Sequence, residues 1–166
     1  VRAITGSCGF LALFQQELAA AVSIPVFASS LIQVPIIHHM LGADKQVGIM
    51  TADSRGLTAK HFSAVGAGHV PVVIAGMETY PEFHDVILQG MRYDMDIDLI
   101  EMEILAAAKA MLVAHDNIGA IVLECTDMPP YAYRIQQETG LPVFDLITLA
   151  NMVHDAVVRM PYQGIL

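Results

Sequence analysis

The chain has 166 residues, 55% of them hydrophobic and 15% charged, a composition that supports a large buried core and excludes a disordered chain. Net charge is −9 with only eight Lys plus Arg, and no basic stripe of the kind that nucleic-acid binding needs is present. No apolar run approaches the roughly 18 residues of a membrane span, and two cysteines make no disulfide scaffold at this length. These features point to a cytoplasmic protein with neither nucleic acid nor membrane as a partner.

In chain order, Val1–Thr5 reads as a buried strand entering the loop Gly6–Gly9, and Phe10–Val22 follows with helical spacing. Ile24–Ala28 is a second, short strand. Leu31–Leu41 is a helix with Pro35 either kinking it or lying near its start. Gln46–Thr51 is a third strand, and Asp53 or Ser54 can cap the helix that runs to about Val65. Val70–Ala75 is a fourth strand and Pro81–Gln89 a short helix. Asp96–His115 is the longest helix, with Ile97, Ile100, Ile104, Ala107 or Ala108, and Met111 on one face. Gly119–Glu124 is the fifth strand, Pro129–Thr139 a helix closed by Gly140, Pro142–Leu146 the sixth strand and Leu149–Arg159 the last helix.

Strands and helices alternate, and the strands are continuous apolar runs, which marks a parallel sheet covered on both faces. The fold class is therefore α/β. Ligands in such folds sit at the carboxyl ends of the strands, and both cysteines, Cys8 and Cys125, fall at such ends.

The chain also repeats itself. Ala3-Ile4-Thr5-Gly6-Ser7-Cys8 matches Ala120-Ile121-Val122-Leu123-Glu124-Cys125 at an offset of 117, and Ile24-Pro25-Val26-Phe27 matches Leu141-Pro142-Val143-Phe144 at the same offset. Two similar halves can place their cysteine loops face to face across a cleft. Applied to Gln46–Thr51, the offset puts the matching strand about 70 residues before Val1. A strand-helix-strand segment of the first lobe is thus expected to be missing from this chain. The expected organisation is a first lobe over 1–42, a second over 43–145 and a C-terminal helix, 146–166, returning toward the first.

A thiol at a helix N-terminus has a lowered pKa, and the free N–H groups there favour carboxylates. Two opposed thiols can grip an α-carbon acid, one removing the Cα proton while the other delivers a proton to the opposite face. The competing reading makes each cysteine a small buried hydrophobe. Thr126 and Asp127 follow Cys125 and can bind substrate, although Asp127 can equally cap the helix at Pro129. Thr51 can offer its hydroxyl to a carboxylate or be structural. Asp145 is an asymmetric acid near the cleft, and Arg55 reads as a solvated helix residue. No dinucleotide or phosphate-loop motif appears, so no cofactor is expected. The adjacent His38 and His39 cannot both face one metal from one helical face, so no metal is expected.

Thr5-Gly6-Ser7-Cys8-Gly9-Phe10 and Glu124-Cys125-Thr126-Asp127 resemble the two strand-end cysteine motifs of the aspartate/glutamate/hydantoin racemase superfamily. The resemblance covers essentially the whole chain. It implies two pseudo-symmetric lobes with parallel sheets flanked by helices and the active site in the cleft between them. It implies an isomerase, a cofactor-independent racemase of an amino acid or related α-carbon acid, with Cys8 and Cys125 as paired acid and base. Thr126, Thr51 and the backbone of Ser7, Gly9 and Phe10 would help hold a small-molecule carboxylate substrate, and a homodimer is compatible with it. Gly9-Phe10 replaces the Asn-Thr common in amino-acid racemases, and Asp127 stands where glutamate racemases carry His. Hydantoin racemases, maleate isomerases and decarboxylases of the same superfamily are alternatives, as is a catalytically silent α/β binding module.

Overall fold

Two parallel sheets organise the chain in the computed structural model, which describes residues 1–6, 8–161, 163 and 164. The larger sheet has β3 (Gln46–Thr51) between β4 (Val72–Gly76) and β5 (Ile118–Leu123), with β6 (Val143–Phe144) beyond β5. Its register pairs Met50 with Ala75 on one side and with Leu123 on the other. Alternate side chains feed two cores, which explains why the strands read as unbroken apolar runs. Val47, Ile49, Ala120 and Val122 pack with Leu31, Ile37 and Phe62 on one face. Met50, Ile121 and Leu123 pack with Ile100, Ile104 and Met111 on the other.

The smaller sheet pairs β1 (Ile4–Thr5) with β2 (Val26–Phe27). The expected buried strand over residues 1–5 is corrected here. Only Ile4 and Thr5 pair, and both are exposed, because β2 is their one strand neighbour among the described residues. The expected helix over 10–22 is a 3₁₀ helix, Gly9–Phe14, running into α1 (Gln15–Ala20). The Gln15 side chain ties this segment to β2, donating to the Val26 carbonyl and accepting from the Ala28 N–H, both at 2.9 Å. A 3₁₀ turn, Ser30–Gln33, leads into α2 (Val34–Met40), and Pro35 lies in its first turn rather than at a kink.

α3 (Ala59–Ala64) is capped by Thr58 in a reciprocal pairing with His61, not by Asp53 or Ser54. Those two are engaged locally: Asp53 binds Arg55, which sits in the turn before the helix, and Ser54 binds Glu78. α4 (Pro81–Phe83) continues as a π-helix, His84–Leu88. Glu103 anchors its start by accepting the N–H groups of Glu82 and Phe83 at 2.9 and 2.8 Å.

Glu103 belongs to α5 (Ile97–Ala114), which Asp96 caps and whose buried stripe is Ile100, Ile104, Ala107, Ala108 and Met111. Ile97 does not join that stripe; it is 61% exposed in the first turn, before the helix meets the sheet core. A 3₁₀ turn, Pro129–Tyr131, opens α6 (Ala132–Thr139), and Gly140 ends it at φ +69°, a conformation that favours glycine. α7 (Leu146–Val157) starts three residues before the expected Leu149 because Asp145 caps it, accepting from the Thr148 N–H at 2.7 Å. Asp145 is thus a buried helix cap, correcting the reading of it as a cleft acid.

This topology creates one crevice. From β3 the chain goes to β4 on one side, then crosses back through α5 to β5 on the other. α3 follows β3 and packs into one core through Phe62, while α6 follows β5 and packs into the other through Ile135. The loops leaving β3 and β5 therefore diverge to opposite faces, and the gap between them is the place where open α/β sheets bind ligands.

Candidate active site

At this gap lies a pocket of about 160 Å³ that takes its wall from three segments. Cys8, Gly9 and Phe10 come from the loop and 3₁₀ turn after β1; Glu124, Cys125, Thr126 and Asp127 come from the end of β5. Ile87 and Leu88 of the π-helix close the apolar side with Ala52. The π-turn is closed by the Gln89 N–H donating to the His84 carbonyl at 2.9 Å; such widened turns frequently occur at functional sites. Two hydrogen bonds hold the base of the pocket. Ser30 Oγ donates to the Leu123 carbonyl at 2.7 Å, and the Glu124 N–H donates to the Met50 carbonyl at 2.8 Å.

The two cysteines are free and differ in setting: Cys8 is exposed and Cys125 is buried. Burial pushes the Cys125 thiol up to about 12, and the carboxylates of Asp127 and Glu124 push it the same way, against the Asp127 backbone N–H. The expected lowering is therefore corrected for Cys125. The turn that opens the next helix begins only at Pro129, so its N-terminus is not at the sulfur, and desolvation decides the direction. The thiol donates toward Asp127 Oδ2 at 3.5 Å. Asp127 does not cap the following turn: Met128 holds that position, with no side-chain cap bond.

Glu124 is 2% exposed, and its Oε2 accepts the hydroxyl proton of the fully buried Thr51 at 2.6 Å. Its Oε1 has no hydrogen-bond partner among the described residues. Burial raises its pKa, and the Thr51 bond works against that rise. Gly9 makes this packing feasible, because a Cβ there would overlap the Glu124 carboxyl. The first cysteine loop thus lies directly on the acid that precedes the second cysteine.

Of the residues expected at the site, Cys8, Gly9, Phe10, Cys125, Thr126 and Asp127 line this one pocket. Ser7 lies outside the described residues. Thr51 stands behind the wall, buried and with its hydroxyl committed to Glu124, so the expected role on a substrate carboxylate is corrected to support of that acid. Glu124 itself was not expected, nor were Ala52, Ile87 and Leu88. A signal for Glu124 existed, since it is the only charged residue closing the apolar run Ala120–Leu123. Nothing in the sequence marks Ile87 and Leu88, which reach the pocket only through tertiary packing. Among the described residues that line the pocket, two are acids and none is Lys, Arg or His.

Comparison with known proteins places the chain in a family and a fold. The family model described as Asp/Glu/Hydantoin racemase matches residues 4–152. The chain is 33% identical over 174 residues to Dimethylsulfoniopropionate lyase 3 of Emiliania huxleyi (strain CCMP1516), covering 99% of this chain and 45% of that protein. It is 31% identical over 170 residues to the Dimethylsulfoniopropionate lyase of Durusdinium sp. clade D, covering 99% of this chain and 56% of that one. The chain thus spans about half the length of these relatives. Among solved structures, the allantoin racemase of Pseudomonas fluorescens superposes with a TM-score of 0.60 at 19% identity, over 98% of this chain and 70% of that one. The glutamate racemase RacE1 of Bacillus anthracis gives 0.59 at 15% identity, over 94% and 59%. At such identities the structural likeness speaks for the fold alone. The family match across nearly the whole chain identifies the protein: it belongs to the Asp/Glu/hydantoin racemase family.

Proposed function

We propose that the chain carries out proton abstraction from the carbon next to a carboxylate, followed by β-elimination of an onium leaving group, with dimethylsulfoniopropionate or a close analogue as substrate. The observation behind this reading is the pocket's charge. Two cysteines share it with two carboxyls and, among the described lining residues, no cationic side chain. An amino-acid racemase for aspartate or glutamate must accommodate a second carboxylate, which this lining disfavours. A sulfonium suits it, and relatives over the full span of the chain are named as lyases of such a compound.

In this reading the substrate carboxylate is held by Thr126 and the backbone of Gly9 and Phe10. Cys125 gives its proton to Asp127 and, as thiolate, takes the proton from Cα. The electron pair of that C–H bond forms the Cα=Cβ double bond. The Cβ–S bond breaks with its pair moving to sulfur, so acrylate and neutral dimethyl sulfide leave. Net, one proton is released to solvent. With the thiol at about 12, roughly one part in 10⁵ is thiolate at pH 7 in the empty pocket. An onium bound beside the two carboxylates offsets their charge and so makes the thiolate more accessible.

Racemisation by two-thiol 1,1-proton transfer is the second reading. It is favoured by one observation, the presence of both Cys8 and Cys125 in a single pocket. It shares proton abstraction with elimination and differs in the fate of the carbanion, which is reprotonated on the opposite face. Incubation of the protein with dimethylsulfoniopropionate, and separately with L-aspartate, L-glutamate and a hydantoin in deuterated water, distinguishes the two. Release of dimethyl sulfide that is lost in Cys125→Ser supports elimination. Deuterium at Cα with loss of optical purity, and no volatile product, would replace elimination with racemisation.

A further inference from the structure

Glu124 is nearly inaccessible, yet only half of its carboxyl is satisfied. Oε2 takes the Thr51 hydroxyl, while Oε1 is packed against Gly9 without a partner among the described residues. A buried polar group left partly unsatisfied carries a cost that a ligand or a function usually answers. The carboxyl lies in the pocket wall beside Cys125, at the junction of the two cysteine loops. Asp127, the other acid of the wall, is exposed, so solvent screens it. A charge on Glu124 is shielded from water, and its field in the pocket is correspondingly stronger.

Resting on the elimination reading, we infer that Glu124 is the specificity-determining residue for a cationic leaving group, the fixed counter-charge for an onium bound in the pocket. It acts through the wall formed with Gly9 rather than as a catalytic group. Thr51 serves it by donating to Oε2, a bond that favours the ionised form against the rise that burial causes, and a bound cation works in the same direction. The glycine at position 9 is what lets the loop close over this acid, so the two cysteine loops are joined by the group that selects the substrate.

The test uses two carboxylates with the same heavy-atom skeleton. One is 3-(dimethylamino)propionate, cationic at neutral pH; the other is 4-methylpentanoate, uncharged at that end. Their dissociation constants are measured by calorimetry at pH 7 on the 166-residue chain. The wild-type protein is expected to bind the cation at least about tenfold more tightly. Glu124→Gln is expected to bind the two within about twofold of each other, with affinity for 4-methylpentanoate retained. Equal binding by the wild type, binding of neither compound, or a preference that survives in Glu124→Gln would overturn the inference.

Should Glu124→Gln fail to fold, Thr51 carries the test. Thr51→Ser keeps the donor and the preference, whereas Thr51→Val reduces the preference; an unchanged preference in Thr51→Val overturns the counter-charge role. Dimethyl sulfide release by the same preparations separates the two proposals. A wild type that eliminates, with a preference independent of Glu124, removes only the counter-charge role. A wild type whose preference depends on Glu124 but which releases no dimethyl sulfide removes only the elimination reading.

Discussion

Thr51 and Glu124 leave adjacent strands one step beyond the paired Met50 and Leu123, and the Thr51 hydroxyl donates to Glu124 Oε2 at 2.6 Å. Thr51 is 0% exposed and Glu124 2%. The bond joins the ends of β3 and β5 where their loops separate. A hydrogen bond in such a dry setting is worth more than its surface equivalent.

Removing the donor is therefore expected to be costly. Thr51→Val preserves shape but leaves both carboxyl oxygens of Glu124 without side-chain partners among the described residues, and should destabilise the fold by about 1–3 kcal/mol. Thr51→Ser keeps the hydroxyl and should lose less. Urea unfolding midpoints with unchanged slopes would measure both. Equal stability of the valine and serine variants would remove the bond from any structural account.

A second prediction concerns Gly9, whose φ and ψ call for no special freedom but whose missing Cβ is required. Gly9→Ala forces the Cβ into the Glu124 carboxyl and should cost about 1–3 kcal/mol, as overpacking does. Combined with Glu124→Ala, which removes the carboxyl but leaves the Glu124 backbone carbonyl overlapping the new Cβ, the penalty should be relieved only in part. The coupling energy from the double-mutant cycle reads the contact directly. Additive effects would mean that the loop relaxes away from the acid.

Much of this site was legible in the sequence because local chemistry determined it. The apolar stretches within Gln46–Thr51 and Ile118–Leu123 pointed to a sheet buried on both faces, and the two cysteines marked strand ends. What was illegible depended on tertiary context. The sequence has no term for desolvation, so the Cys125 thiol was expected to be lowered when burial raises it. Thr58 took the helix cap from Asp53 and Ser54 because those side chains found partners in Arg55 and Glu78. Ile87 and Leu88 reach the pocket through a π-turn that Glu103 anchors from a distant helix, a contact with no local signature.

Burial of Cys125 also couples stability to alkaline pH. The folded thiol titrates at about 12, above the unfolded value near 9.0. Between these values the unfolded chain gives up a proton that the folded chain retains, so stability is full below pH 9 and falls as pH rises toward 12. The loss approaches about 4 kcal/mol at the upper end. Thermal or urea unfolding of the wild type and Cys125→Ala, compared from pH 8 to 11, isolates this contribution. A constant difference across that range would contradict the burial of the thiol.

Alkylation of the two cysteines provides the sharpest test of the Cys125–Asp127 pair. Cys8, being exposed, should react first with iodoacetamide, and the Cys8→Ser variant leaves Cys125 to be followed alone. Only the thiolate reacts. The Cys125 rate should therefore climb about tenfold per pH unit from 7 to 10 without levelling, since the titration midpoint lies near 12. The charge and side-chain bond of Asp127 hold the thiol up, so Asp127→Asn should lower its midpoint and speed alkylation at any given pH. The same change removes the carboxylate, 3.5 Å from the thiol, that the elimination proposal assigns as its proton acceptor, so on that proposal turnover should fall even as reactivity rises. That opposition separates a proton acceptor from a group that merely shapes the pocket. If alkylation and turnover rise together in Asp127→Asn, Asp127 acts only as an electrostatic brake on Cys125. If both fall, its principal role is to position the loop that carries the thiol.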